Sequence, residues 1–271
     1  MGLLHQQVTA PAVQWQDAKP IYKADRCDLA RSTVKSYYDV LDRFFAAAPD
    51  ITQAGRMTIL TYMQQFDHWA TYNFNLAAIK SFFAWAADFY GFVDPAVKLK
   101  SRHEECLSEA RFVTEPEYRL IGDYHGYGRD IAVFLGNTGL RAQEFIDYRP
   151  AHIGENRVLT VFGKGRKMRK VPLNQTAWQI LCKYNFAINL KKNGKYMTYT
   201  NLRYRMEHLS KKLNLELFRP HSLRHYFATA LISRGANIAD VSKLLGHANI
   251  NITIKLYYHP QSLDCVSLLD A

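Results

Sequence analysis

Cysteine is scarce in this chain. There are four in 271 residues, Cys27, Cys106, Cys182 and Cys265, and no two form a C-x-x-C pair. That spacing gives no support to a disulfide framework or a thiolate zinc site, and free thiols fit a reducing cytoplasm. No apolar run reaches membrane-spanning length. The first residues lack a basic stretch followed by an apolar one, so no signal peptide is expected. Met1-Gly2 opens like a myristoylation site, but Gln6 stands where that motif needs Ser or Thr. Internal repeats and low-complexity tracts are missing. So is any cluster of carboxylates of the kind that holds Mg²⁺.

What the chain does have is positive charge and apolar bulk. Thirty-five Lys and Arg against 24 Asp and Glu leave a formal net charge of +11. An excess of that size suits a polyanion, because each neutralised phosphate releases counterions. Hydrophobic residues make up 48%, enough to bury a core and to argue against global disorder.

Periodicity divides the chain. Residues 1–24 carry scattered Gln, Pro and Ala and read as an N-terminal extension. Residues 25–96 carry helical spacing. Ser32 or Thr33 is placed to cap a helix with Val34, Tyr37, Tyr38, Leu41, Phe44 and Phe45 on its apolar face. A second helix is expected near Met57 to Phe66, and a third from about Tyr72 to Tyr90, stopped by Gly91. Residues 97–111 are charged, carry few large apolar side chains, and read as a linker. A second unit opens at Phe112, where Thr114 and Glu117 have the spacing of a capping box. Helical signals run to Tyr148. Two β-rich runs, Arg157 to Phe162 and Lys170 to Leu173, flank a glycine turn and predict a hairpin. Helical signals return from Gln175. The expected fold is mainly α with one small β-sheet.

Four segments carry candidate chemistry. The first, TGLRAQE, puts Arg141 just after a glycine turn at a helix start, facing an anion or simply pairing with Glu144. The second is the turn GKGRK, within a stretch from Arg157 to Lys170 where six of fourteen residues are Lys or Arg. A hairpin with so basic a tip fits a DNA groove, and it also reads as a solvated turn. The third is PHSLRH. Pro220 starts a helix, and His221 and Arg224, three apart, share one face, where they can hold a phosphate oxygen and move a proton. The fourth is LLGH followed by Tyr257. Gly246 ends a helix, so His247 sits at a turn. Tyr257 and Tyr258 lie on a stretch with Ile250, Ile252 and Ile254 that reads as amphipathic. Taken singly, each segment also reads as ordinary surface or core.

In order and spacing together, TGLRAQE, GKGRKMRKVPL and HSLRHYFATALISRGANIADVSKLLGHANINITIKLYYH resemble the tyrosine recombinases, the family of phage integrases and Xer-type recombinases. The resemblance covers about residues 112–259 and extends loosely to 28–95. It implies a helical, SAM-like core-binding domain at 25–96 and a catalytic domain at 112–259, with residues 260–271 as a C-terminal tail. Two such domains are expected to grip opposite faces of a duplex as a clamp.

By position, the resemblance makes Arg141 and Arg224 the arginines that hold the scissile phosphate. Lys164 becomes the hairpin lysine, His221 and His247 the two histidines, Tyr257 the nucleophile, and Glu144 a supporting acid. Lys167 and Lys170 rival Lys164, and Tyr258 rivals Tyr257. The tyrosine two residues before His259 is preferred because members with this longer spacing place it so. The implied reaction breaks and rejoins duplex DNA through a 3′-phosphotyrosyl link, with no metal and no cofactor. The implied partners are double-stranded DNA and three more copies of the chain, a tetramer on DNA from a monomer without it, with no membrane. The implied location is cytoplasmic, on the nucleoid. Integration or excision of a mobile element and resolution of chromosome dimers use the same core. A cleavage-deficient relative, or a relaxing enzyme of the type IB topoisomerase kind, shares much of the pattern.

Overall fold

Aromatic and aliphatic residues at helical spacing set most of the architecture. The computed structural model describes residues 12–26, 29–102, 111–163, 167–191, 193–247 and 249–257; at 31, 32 and 255–257 it describes the backbone alone. The chain divides into two compact units, residues 1–108 and 109–271.

The first unit holds α1 (Trp15–Asp25), α2 (Arg31–Phe45), α3 (Arg56–Met63) and α4 (Trp69–Tyr90). Tyr38, Leu41, Phe44 and Phe45 of α2 pack with Leu76, Ile79, Phe82 and Phe83 of α4. Many of the ring pairs, such as Phe45 on Phe82 at 5.2 Å, meet edge to face, the arrangement their quadrupoles favour. Gly91 closes α4 in the left-handed conformation (φ 74°), as expected from a glycine at that place.

Three expectations need correcting here. Part of the supposed N-terminal extension is a core helix. Trp15, Ala18 and Tyr22 of α1 are buried, Trp15 stacks on Phe45 at 5.0 Å, and its indole N–H donates to Asp42 at 2.8 Å. Pro20 lies inside α1 and disguises it, since proline removes one helical hydrogen bond. Burial of the large aromatic face outweighs that loss. Secondly, the linker does not begin at residue 97. Leu99 belongs to the first unit's core, and the Arg102 guanidinium lies 3.9 Å from the centroid of Tyr72, a cation–π contact. Thirdly, α2 starts at Arg31 with Ala30 as its cap residue, so Ser32 and Thr33 fall inside the first turn.

The second unit is built around α6 (Tyr127–Thr138). Ile131 to Leu135 are all buried in sequence, which marks a helix surrounded on every side. Around it pack α5 (Glu115–Asp123), α8 (Gln175–Lys183), α9 (Tyr199–Lys212) and α10 (Pro220–Ser233). Thr114 and Glu117 form the capping box of α5. The short α7 (Ala142–Asp147) follows α6 directly. A three-stranded antiparallel sheet comes next: β1 (Ile153–Gly154), β2 (Val158–Phe162) and β3 (Met168–Pro172), in that order. Val161 pairs with Arg169 and Leu159 with Val171, so Leu159, Val161 and Val171 face the core and Arg169 shares their side. One further rung joins Gly163 N–H to Lys167 C=O at 2.8 Å.

The unit closes with α11 (Ile238–Leu245) and α12 (Ile250–Tyr257), packed on each other and on α10. The amphipathic reading of α12 does not hold as stated. Ile250, Ile252 and Ile254 each keep more than a third of their surface exposed, because a spacing of two does not gather residues on one helical face. Among the described side chains of α12, the buried one is Thr253.

Candidate active site

Three glycine and proline signals position the site residues. Gly139 ends α6 in the left-handed conformation (φ 60°); a Cβ there would lie 2.4 Å from the ring of Phe227. That turn delivers Arg141 to the start of α7. Pro220 starts α10, which carries His221 and Arg224. Gly246, also left-handed (φ 66°), ends α11 and places His247 beyond it.

Glu144 is the hub beneath Arg141. Its carboxylate is nearly sealed, 2% exposed. It accepts from the Arg141 backbone N–H at 2.8 Å, from Arg141 Nη1 at 2.9 Å and from Arg169 Nη2 at 2.7 Å. Burial alone would raise its pKa, but the hydrogen bond and charge of Arg169, and then Arg141, hold it below the usual carboxylate range.

The C-terminal end of α11 is gripped by arginine. A helix end leaves carbonyls without helical partners and carries partial negative charge. Here three consecutive carbonyls each accept from a different arginine. Leu244 takes Arg169 Nη1, Leu245 takes Arg224 Nη2 at 2.6 Å, and Gly246 takes Arg141 Nη2 at 2.7 Å. Arg224 is 1% exposed, and its Nη1 also donates to Gly139 C=O at 2.7 Å. Arg224 is therefore fixed in plane by two backbone carbonyls, and Arg141 by one backbone carbonyl and the Glu144 carboxylate.

Arg141, His221 and Arg224 line one open groove, together with Arg111, Gln143 and Arg219. His247 lies outside that lining, with its Nδ1 2.7 Å from Thr253 Oγ1. Burial, then Arg224, Arg141, His221 and Arg169, push its pKa down to about 4. His221 packs edge-on against His225 at 4.7 Å. Lost hydration, then Arg224 and Arg141, lower its pKa as well. Both imidazoles are accordingly neutral at pH 7. In the tautomer where Thr253 donates to Nδ1, the His247 proton sits on Nε2 and is free to be donated; in the other tautomer Nδ1–H donates to Thr253.

The structure thus gathers Arg141, Glu144, His221, Arg224 and His247. Lys164 lies outside the described residues, but the strand leading to it passes the site: a Cβ on Gly163 would be 3.8 Å from Arg141 Nη1. Of the rivals, Lys167 and Lys170 are exposed. Tyr257 ends α12, where the backbone alone is described, and Tyr258 lies outside the described residues. Among the described residues no group of His, Cys, Asp and Glu is arranged to hold a metal ion, and no helix is long and apolar enough to cross a membrane.

Sequence reasoning missed Arg169 and Thr253. Arg169 left a trace, since strand alternation puts it on the core side with Val171, where an arginine needs an acidic partner. Thr253 left none.

Known proteins match both sequence and fold. The sequence model of the phage integrase family matches residues 125–263, just over half the chain. Tyrosine recombinase XerA of Pyrococcus horikoshii is 28% identical over 241 residues, 83% of this chain and 82% of its own. Tyrosine recombinase XerD of Staphylococcus epidermidis is 30% identical over 207 residues, 68% of this chain and 70% of its own. The fold is similar to that of the Tn1549 transposon integrase solved with a circular intermediate DNA, with a TM-score of 0.74 and 18% identity over 93% of this chain and 96% of the other. The chain belongs to the phage integrase family, the site-specific DNA recombinases that act through tyrosine.

Proposed function

We propose that this protein cuts and rejoins duplex DNA through a 3′-phosphotyrosyl bond on Tyr257, in the integration or excision of a mobile element. One observation carries the reading: Arg141, Arg224 and a neutral His221 from separate segments line one groove, and a neutral His247 lies near enough for their charges to act on it. In-line attack on a phosphodiester builds negative charge on the non-bridging oxygens. Arg141 and Arg224, with planes already set, meet that charge. His221, neutral, accepts the Tyr257 proton as the Tyr257 oxygen bonds to phosphorus. The bond to the 5′ oxygen breaks, and Lys164 supplies the proton that the leaving hydroxyl needs. His247 donates Nε2–H to a phosphate oxygen. The new phosphodiester keeps the energy of the old one, so rejoining is the same step reversed.

The net charge of +11 and the DNA bound in the Tn1549 integrase structure support duplex DNA as the partner. Both units are proposed to contact the duplex, and four copies to assemble on paired sites in the cytoplasm, at the nucleoid. The Xer relatives favour a second reading, resolution of chromosome dimers by the same chemistry.

Covalent trapping tests the core of this. Nicked duplexes from a random pool are incubated with wild-type protein, and DNA that resists denaturing extraction is sequenced. Tyr257→Phe should bind the selected duplex within about two-fold of wild type and form no adduct, because the ring is kept and one oxygen is lost. An adduct that persists in Tyr257→Phe and vanishes in Tyr258→Phe moves the nucleophile to Tyr258. No adduct from wild-type protein defeats the cleavage reading. Recombination between two copies of the selected duplex on one plasmid separates strand exchange from mere relaxation.

A further inference from the structure

Arg169 stands outside the groove yet holds two of the elements behind it, the Glu144 carboxylate and the end of α11. Its side chain is 11% exposed and lies on β3, one arm of the hairpin that leads to Lys164. Nη2 donates to Glu144 Oε2 at 2.7 Å, and Nε lies 3.4 Å from Oε1. Nη1 donates to Leu244 C=O at the end of α11. The turn rests against its stem: a Cβ on Gly246 would come within 2.7 Å of Arg169 Cδ and 3.0 Å of Nε.

We propose that Arg169 is a positioning residue for DNA cleavage, tying strand β3, the Glu144 carboxylate and the turn from Leu244 to His247 into one rigid piece. The proposal rests on the functional reading above. Arg169 is not among the residues that line the groove, and its Nη atoms point at protein acceptors. It acts through its partners. Glu144 orients Arg141 through two bonds, and Arg169 fixes Glu144 from the other side. Through Leu244 the same guanidinium fixes the turn that carries His247, ahead of α12 and Tyr257. A planar fork is what lets one residue span acceptors on two elements. A lysine reaches one or the other but cannot hold both in a fixed plane.

The test uses the full chain and the nicked duplex selected by wild-type trapping. Arg169→Lys keeps the charge beside Glu144 and loses the span. It should bind the duplex within about two-fold of wild type and melt within a few degrees of it. Its single-turnover rate of adduct formation at saturating protein should fall about 10- to 100-fold, in the range seen when a residue that orients a site's contacting groups is removed. Adding Glu144→Gln should lower the rate no further than the worse single variant, because both changes cut one connection. Should the lysine variant fail to fold, Arg169→Gln, shorter and without charge, is read in the same way. A wild-type cleavage rate in a folded variant overturns the proposal. So does a loss of affinity that matches the loss of rate, which would make Arg169 a phosphate ligand. So does a lower melting temperature with unchanged rate from the folded fraction, which would make it a brace and nothing more. Wild-type protein that traps no duplex overturns the functional reading itself, and this one with it.

Discussion

Replacing Arg224 by lysine keeps one positive charge and loses two fixed bonds. Arg224 spans Gly139 C=O and Leu245 C=O from a nearly sealed position. Lysine satisfies one of them at best, and a buried carbonyl left bare costs about 1–3 kcal/mol. Arg224→Lys is therefore expected to lower the melting temperature and to slow adduct formation at least about 100-fold, since the parallel donors are gone. Denaturation and single-turnover trapping check the two effects separately, and near-normal cleavage would show that the fork is not needed. Histidine sets the acid limit. Burial, then His221 and Arg224, hold His225 at about 4 in the folded chain, whereas an unfolded imidazole titrates near 6.5. Between those values the unfolded chain binds more protons, so stability is lost as pH falls from about 6.5 towards 4. For His225 the full shift amounts to something on the order of 3 kcal/mol. Unfolding free energies at pH 7 and pH 5 should differ less in His225→Asn than in wild type, and equal differences would contradict the assignment. At this scale the sequence exposed the residues with unusual neighbours, such as Arg141 after a glycine and His221 three before Arg224. Arg169 escaped notice because its meaning depends on which side of β3 faces inward and on Glu144, 25 residues away.

Among elements, α11 depends on Gly246 in a way that local sequence shows only in part. A glycine after a helical run signals a left-handed cap, and that is what forms. The pressure of Arg169 on the same residue has no local sign. Gly246→Ala meets both the φ of 66° and a Cβ contact of 2.7 Å. The left-handed strain alone costs roughly 1–2 kcal/mol, and the displaced arginine adds to it. A drop of several degrees in melting temperature, with slower adduct formation, is the expected result; an unchanged protein would mean that the turn gives way freely. Other elements divide on similar lines. The capping box at Thr114 and Glu117, the stop at Gly91 and the hairpin of β2 with β3 were legible because each is fixed by a few adjacent residues. Helix α1 was not, since Pro20 breaks the pattern and its reward lies in distant partners such as Phe45 and Asp42. Strand β1 has two residues, too few to alternate.

For the whole molecule, each of the two units carries its own core. Residues 260–271 lie outside the described residues, but Leu263, Val266 and Leu269 recur every three positions, a stripe too small to form a core of its own. We propose that the tail docks on a neighbouring copy. Deleting residues 262–271 should then spare binding of one protein to a half-site and weaken assembly on paired sites, as gel shifts on the two DNAs would resolve. Normal paired-site assembly and recombination by the truncated chain would assign the tail no role in trans. The arginine grip on α11 has a further consequence, in time. Its bonds close over 21 to 105 residues of sequence, so Arg141, Arg169 and Arg224 all leave the ribosome before the α11 carbonyls that they grip. A chain broken off before Leu244 would lack all three of these carbonyls, so the guanidinium planes of Arg141, Arg169 and Arg224 are set only when the last part of the catalytic unit is in place.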